Sequence, residues 1–167
     1  MDRVILLRPE RAEDQEFLFA VYASTRAEEL KPVPWSDAQK EAFLRMQFSL
    51  QTKHYHQYYP DAAYQIVLWG GRPIGRLYVH RGNDQILLID IALLPEYRGA
   101  GIGGQLIKDL LLEAVADGKP VRIHVEWENP ALRLYTRLGF QLLESKGVYY
   151  LMEWKKESRS EFARTAQ

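Results

Sequence analysis

The chain has no cysteine among its 167 residues, which excludes a disulfide framework, a thiolate metal site and a cysteine nucleophile. Surplus charge is missing too. Its 22 basic and 22 acidic side chains give a formal net charge of zero, whereas a protein built to neutralise nucleic-acid backbone carries a basic excess. Long apolar runs are also absent: the opening MDRVILLRPE holds a short one with no cleavage-site pattern, and no span approaches the roughly eighteen residues of a membrane crossing. The expectation is a cytoplasmic enzyme or binding protein with no membrane or nucleic-acid partner. With 47% hydrophobic and 26% charged residues, the composition is that of one globular domain able to bury a core.

The rest of the chain is organised around Tyr97 to Gly104, which reads YRGAGIGG. Four glycines in six residues, led by Arg98 and followed by the helix-like run Gln105 to Val115, make a poor core segment. They make a good anion cradle. Glycine lets backbone approach a ligand closely, and the first N–H groups of a helix lack partners inside it. Those donors, the positive end of the helix dipole and Arg98 suit a phosphate or pyrophosphate.

In chain order, Val4 to Leu7 reads as a first strand, and Phe17, Leu18, Val21 and Tyr22 give a helix with one buried face. The prolines of PVPW stop that helix. Ser36 and Gln39 form a capping box for a second helix, which carries Phe43, Leu44, Met46, Phe48 and Leu50 and then the ring cluster His54, Tyr55, His56, Tyr58 and Tyr59. Histidines two apart cannot share one helical face, so no metal site is expected there. Tyr64 to Trp69 and Ile74 to Val79 read as a hairpin about Gly70-Gly71. The next strand, Ile86 to Leu94, is almost continuously apolar, as a strand covered on both faces should be. Asp90 interrupts it.

After the glycine stretch, Ile102, Leu106, Leu110 and Ala114 form one helical stripe beside Ile107, Leu111 and Val115. Gly118 and Pro120 stop the helix, and Val121 to Val125 completes a βαβ unit. Asn129 with Pro130 opens a short helix that Gly139 ends. A last hairpin, Phe140 to Leu143 and Val148 to Trp154, closes around Lys146-Gly147. The order describes one α/β domain with a mixed sheet over residues 1–155, and 156–167 read as a polar tail.

Gly99, Gly101 and Gly104 match G-x-G-x-x-G, with Glu126 lying 22 residues beyond. A dinucleotide-binding loop would follow its strand directly and be followed by further strands; here Pro95 to Arg98 intervene. A phosphate-binding P-loop needs Lys and then Ser or Thr where Gln105 and Leu106 stand.

The stretch PEYRGAGIGGQLI after LLIDIALL resembles the acyl-CoA signature of the GNAT superfamily, the Gcn5-related N-acetyltransferases, with Arg98, Gly101 and Gly103 at its key positions. Downstream, ENPALRLYTRLGF is similar to a later motif of that family, carried here by Ala131, Leu134, Tyr135, Leu138, Gly139 and Phe140. The two motifs and the elements around them extend over roughly residues 3–154. One position departs: the family's asparagine often lies seven residues before the tyrosine, whereas Glu128 holds that place and Asn129 follows it. Asn129 is therefore either a cofactor contact or a helix cap.

The resemblance implies an α+β fold, a mixed and mostly antiparallel twisted sheet of about seven strands flanked by about four helices. It also implies acetyl transfer from acetyl-CoA to an amine by direct attack on the thioester. Backbone of Arg98, Gly99, Ala100, Gly101, Ile102, Gly103 and Gly104 would meet the pyrophosphate. The Leu93 N–H would donate to the thioester carbonyl, with Leu94 a further contact, while the strand backbone pairs with the pantetheine arm.

Tyr135 occupies the position of the family's acid for the departing thiolate, and is otherwise a buried tyrosine of an amphipathic helix. The arriving amine has an ordinary pKa of about 10.4 and must be deprotonated. Asp90 leads the candidates because a carboxylate in an apolar strand is costly unless paired or wet; a structural aspartate is the alternative, and His124, Glu126 and water are further bases. The acceptor would meet the region Tyr22 to Tyr59, including Trp35 and the rings from His54. A small-molecule amine is expected, with a protein or peptide amine, or acyl-CoA binding without turnover, as alternatives. A homodimer is compatible with the family.

Overall fold

The computed structural model describes residues 4–156; all of the expected tail 156–167 except Lys156 lies outside them. Seven strands and four α-helices are present among the described residues: β1 (Ile5–Pro9), α1 (Gln15–Leu30), α2 (Asp37–Tyr58), β2 (Ala63–Trp69), β3 (Arg72–Arg81), β4 (Ile86–Leu93), α3 (Ile102–Asp117), β5 (Val121–Glu126), α4 (Leu132–Leu138), β6 (Gln141–Lys146) and β7 (Tyr149–Trp154). The strands hydrogen-bond in the order β1-β2-β3-β4-β5-β7-β6. The sheet is mixed, since β4 and β5 run parallel while β1 with β2, β5 with β7 and β6 with β7 are antiparallel. This is the architecture the resemblance implies. No helix among the described residues is long and apolar enough to cross a membrane.

Two compact units divide the chain, Met1–Tyr78 with Asp90–Ala100 and Val79–Ile89 with Gly101–Gln167. In the first, the register Ile5↔Trp69 to Pro9↔Gln65 sets β1 on β2. A 3-10 turn, Ala12–Asp14, then leads into α1, whose Leu18, Phe19, Val21 and Tyr22 are buried at the expected helical spacing. α2 starts where the capping box places it: the Ser36 hydroxyl accepts from the Gln39 N–H at 3.2 Å, and the Gln39 side chain accepts from the Ser36 N–H at 2.9 Å. This reciprocal pair satisfies two donors the helix cannot reach. Although α2 has no fully buried residue, Phe48 anchors it, its ring 5.8 Å from Phe19 and 5.7 Å from Tyr22.

In the second unit, α3 buries Ile102, Leu106, Ile107, Leu110, Leu111 and Ala114, the stripe seen in the sequence, and burying each large side chain contributes about 1.5–3 kcal/mol. It begins earlier than the run from Gln105 suggests, because Gly101 turns into the left-handed region (φ 82°) and starts the helix at Ile102. Gly118 ends it in the same conformation. The parallel pairing of β4 with β5 spans Ile86–Leu88 and Val121–Ile123. α4 starts at Leu132, later than Asn129 suggests; Asn129 Oδ1 instead accepts the Ala131 N–H at 2.9 Å and turns the chain just ahead of the helix.

Candidate active site

In the first unit, β4 ends at Leu93, and a 3-10 turn over Pro95–Tyr97 follows. The Leu94 N–H donates to the Ile74 carbonyl at 2.8 Å, which holds the strand end on β3. The Tyr97 N–H reaches the Leu94 carbonyl at 3.0 Å, and the Arg98 N–H the Pro95 carbonyl at 3.2 Å. Arg98 is thereby turned back over the strand it has just left. Its Nε donates to the Leu93 carbonyl at 2.9 Å, and its Nη2 to the Ser24 hydroxyl on α1 at 3.0 Å. The guanidinium placed by sequence on an anion is engaged, through these two donors, with protein oxygens.

Gly75 of β3 was not singled out by any motif. A Cβ there would lie 2.3 Å from the Ala92 carbonyl oxygen and 2.7 Å from Leu93 Cδ2. Only glycine fits beside this backbone. A glycine inside a strand pattern is the signal that could have found it.

Asp90 stands against Arg76, which is 3% exposed. Both Nε and Nη2 of Arg76 converge on Asp90 Oδ2, at 2.6 and 2.5 Å, while Nη2 also donates to Gln51 Oε1 at 2.9 Å. The guanidinium lies 4.9 Å from the centre of the Tyr78 ring. Burial pushes the Tyr78 phenol far above its ordinary pKa, so it stays protonated and donates to Glu10.

The ring cluster after His54 joins this polar layer. His56 lies 4.5 Å from Tyr64, and Tyr78 receives Tyr55 and Tyr64 edge-on at 6.0 and 4.9 Å. With Glu10 they line a cavity of about 30 Å³, room for about one water. Trp35, 42% exposed, meets Phe43 edge-on instead.

In the second unit, the N-terminus of α3 presents Ile102, Gly103 and Gly104 behind Gly101. Nothing lies within 4 Å of a Cβ built on Gly101 or Gly103, and only Leu134 Cδ1, at 3.9 Å, approaches one on Gly104. Gly99, in the first unit, is also open and has φ 76°. The backbone donors at this helix end can be approached closely, and a sixteen-residue helix directs its positive dipole end there. These residues fit the pyrophosphate of coenzyme A.

Tyr135 is buried, with its ring 5.7 Å from Phe140, because the left-handed Gly139 (φ 104°) folds the chain back so that the Phe140 N–H bonds the Tyr135 carbonyl at 3.0 Å. His124 is exposed on β5, opposite Leu151 of β7. Partial burial, and then the Lys146 ammonium, hold its imidazole below the usual pKa of 6.5. Glu126 ends β5 opposite Tyr149.

The chain matches the model of the acetyltransferase (GNAT) family over residues 22–140. It is 36% identical over 80 residues to bovine thialysine N-epsilon-acetyltransferase, covering 47% of each chain. It is 32% identical over 68 residues to the [ribosomal protein bS18]-alanine N-acetyltransferase of Haemophilus influenzae, covering 40% of this chain and 47% of that one. The matched segments thus span about half the length of these curated relatives. The fold is shared with the PaiA N-acetyltransferase of Thermoplasma acidophilum, solved in complex with coenzyme A, at a TM-score of 0.69 and 22% identity over 91% of this chain and 99% of that one. With the glycine-opened helix, the expected sheet and a family match across most of its length, the chain belongs to the acetyltransferase (GNAT) family.

Proposed function

We propose that the chain transfers an acetyl group from acetyl-CoA to the primary amine of a small molecule by direct attack of the amine on the thioester. The observation that carries this reading is the start of α3: a left-handed Gly101 followed by open space over Gly103, where backbone donors can reach a pyrophosphate. When bound, acetyl-CoA supplies an activated acyl carbonyl. We assign the Leu93 N–H as donor to the carbonyl oxygen, with Leu94 beside it, the backbone from Gly99 to Gly104 to the pyrophosphate, since the Arg98 N–H is taken by the Pro95 carbonyl, and Tyr135 as acid for the thiolate. Asn129 uses its side-chain oxygen on the Ala131 N–H, so a cofactor contact would come from its amide nitrogen.

Asp90 is better suited to holding Arg76 than to taking a proton. Protonating it would leave a buried guanidinium without its counter-charge, which is strongly destabilising. His124 is then the candidate base, since an imidazole that is neutral at neutral pH can accept a proton. If so, kcat/KM falls as pH drops through a value below the usual 6.5, and His124→Gln lowers activity and removes that limb; a variant with the wild-type profile would assign the step to water. Tyr135→Phe should lower kcat by about a hundredfold with coenzyme A affinity retained, and an unchanged kcat would remove its role.

A small-molecule amine is favoured by the likeness to the thialysine enzyme, and a protein N-terminus by the likeness to the ribosomal-protein enzyme. Thiol release from acetyl-CoA, measured across small amines and N-terminal peptides, separates these. Release with small amines supports the proposal; release with peptides alone changes the acceptor class. Binding without release for any amine would leave an acyl-CoA-binding module.

A further inference from the structure

Resting on the reading that the Leu93 N–H polarises the thioester carbonyl, we propose that Arg98 and Gly75 are positioning residues for the Leu93 peptide, and that Arg98 acts there rather than as a phosphate ligand. The strand end is fixed from three directions. On the β3 side the Leu94 N–H bonds the Ile74 carbonyl at 2.8 Å. From the face of β3, the missing Cβ of Gly75 admits the Ala92 carbonyl oxygen to within 2.3 Å of where that carbon would stand, so the backbone ahead of Leu93 occupies a place no other residue at 75 would allow. Arg98 Nε holds the Leu93 carbonyl itself at 2.9 Å.

The guanidinium is in turn braced. Its Nη2 donates to Ser24 Oγ at 3.0 Å, and the Ser24 hydroxyl donates to the Val21 carbonyl of the same helix at 2.7 Å. Ser24 therefore accepts from Arg98 with its own proton already committed, which orients it. The planar fork lets one side chain bridge strand end and helix, a geometry a lysine cannot reproduce. A donor aimed at an oxyanion is effective only if it is preorganised, and two positions outside the reacting atoms supply that rigidity.

Arg98→Lys keeps the charge and loses the fork, so it separates the two roles. Ser24→Ala removes only the brace, and Gly75→Ala pushes the strand end from the other side. Coenzyme A affinity is measured by calorimetry, kcat at saturating acetyl-CoA and amine, and the infrared stretch of the 13C-labelled thioester carbonyl in the bound state. The expected result for Arg98→Lys is affinity within about twofold of wild type, kcat lower by about ten- to a hundredfold as misplaced catalytic groups give, and a carbonyl stretch returned toward its frequency in water. Ser24→Ala should move kcat and the stretch the same way by less, and Gly75→Ala as Arg98→Lys does.

If Arg98→Lys weakens coenzyme A binding and leaves kcat and the stretch unchanged, Arg98 is an anion ligand and the assignment is overturned. If the stretch in wild type does not differ from that in water, the Leu93 donor itself fails. That second outcome is distinct from the first, in which wild type shows the shift and the variant keeps it.

Discussion

Gly75 and Gly103 both have ordinary backbone angles, with no positive φ at either, and so neither is glycine for the sake of conformational freedom. Their surroundings are opposite. At Gly75 an added carbon meets the Ala92 oxygen at 2.3 Å, whereas at Gly103 it meets nothing within 4 Å. The first glycine is demanded by the protein's own backbone, in the unit that carries the strand end. The second answers to nothing in the fold, and the approach it leaves open is to a helix N-terminus suited to an anion. A crowded glycine marks where the chain positions itself; an uncrowded one, in ordinary helix, marks room kept for something else.

Substitutions at these sites should therefore differ in sign. Gly75→Ala forces backbone to move, and overpacking of this kind costs about 3 kcal/mol, to be read from denaturant midpoints. Equal stability would mean that β4 adapts freely and that the crowding has no consequence. Gly101→Ala places a side chain at φ 82° and should cost about 1–2 kcal/mol of stability as well as coenzyme A affinity.

Gly103→Ala should do the reverse to the fold. Alanine is the better helix residue by about 1 kcal/mol, so the melting temperature should rise slightly while coenzyme A affinity falls about tenfold, the equivalent of one weakened charge-assisted hydrogen bond. Loss of stability without loss of affinity would erase the contrast with Gly75.

The smallest effect concerns a charged brace in the first unit. Asp14 accepts from Arg8 Nη1 and Nη2 at 2.7 and 2.8 Å and from the Arg11 N–H at 2.8 Å. The Arg8 hydrogen bonds, opposed by burial, hold its carboxyl below the usual 3.8. The pair's stabilisation is thus fully present above pH 3.8 and is lost as pH falls through the lower folded value. Asp14→Asn should cost less than about 1 kcal/mol at neutral pH, with wild type and variant converging in acid. Curves that stay parallel to low pH would show that the brace acts by shape and not by charge.

Much of the fold around the candidate site was legible because its signals are local. The capping box at Ser36 and Gln39, the stripe of α3, the stops at Gly118 and Gly139 and the glycine-opened helix start all rest on residues within a few positions of one another, where periodicity and backbone preference act. Boundaries moved where a nearby group bonded differently from the simplest pattern. Asn129 made a turn to Ala131 and left the helix to begin at Leu132, and Gly101 brought α3 forward to Ile102.

By itself, then, the sequence determined an α/β order with a glycine-opened helix N-terminus of a kind that suits an anion, since glycine, capping residues and apolar spacing exert their preferences over one or two turns. Only the tertiary structure decided which partners the charged side chains take. Arg76 finds Asp90 across 14 residues and Gln51 across 25, and Arg98 finds Ser24 across 74. The buried Arg76 guanidinium must satisfy its donors with whatever oxygens the fold brings near, and strand pairing and helix packing choose those oxygens. The crowding at Gly75 has the same origin, because it depends on β4 and exists only once the strands meet.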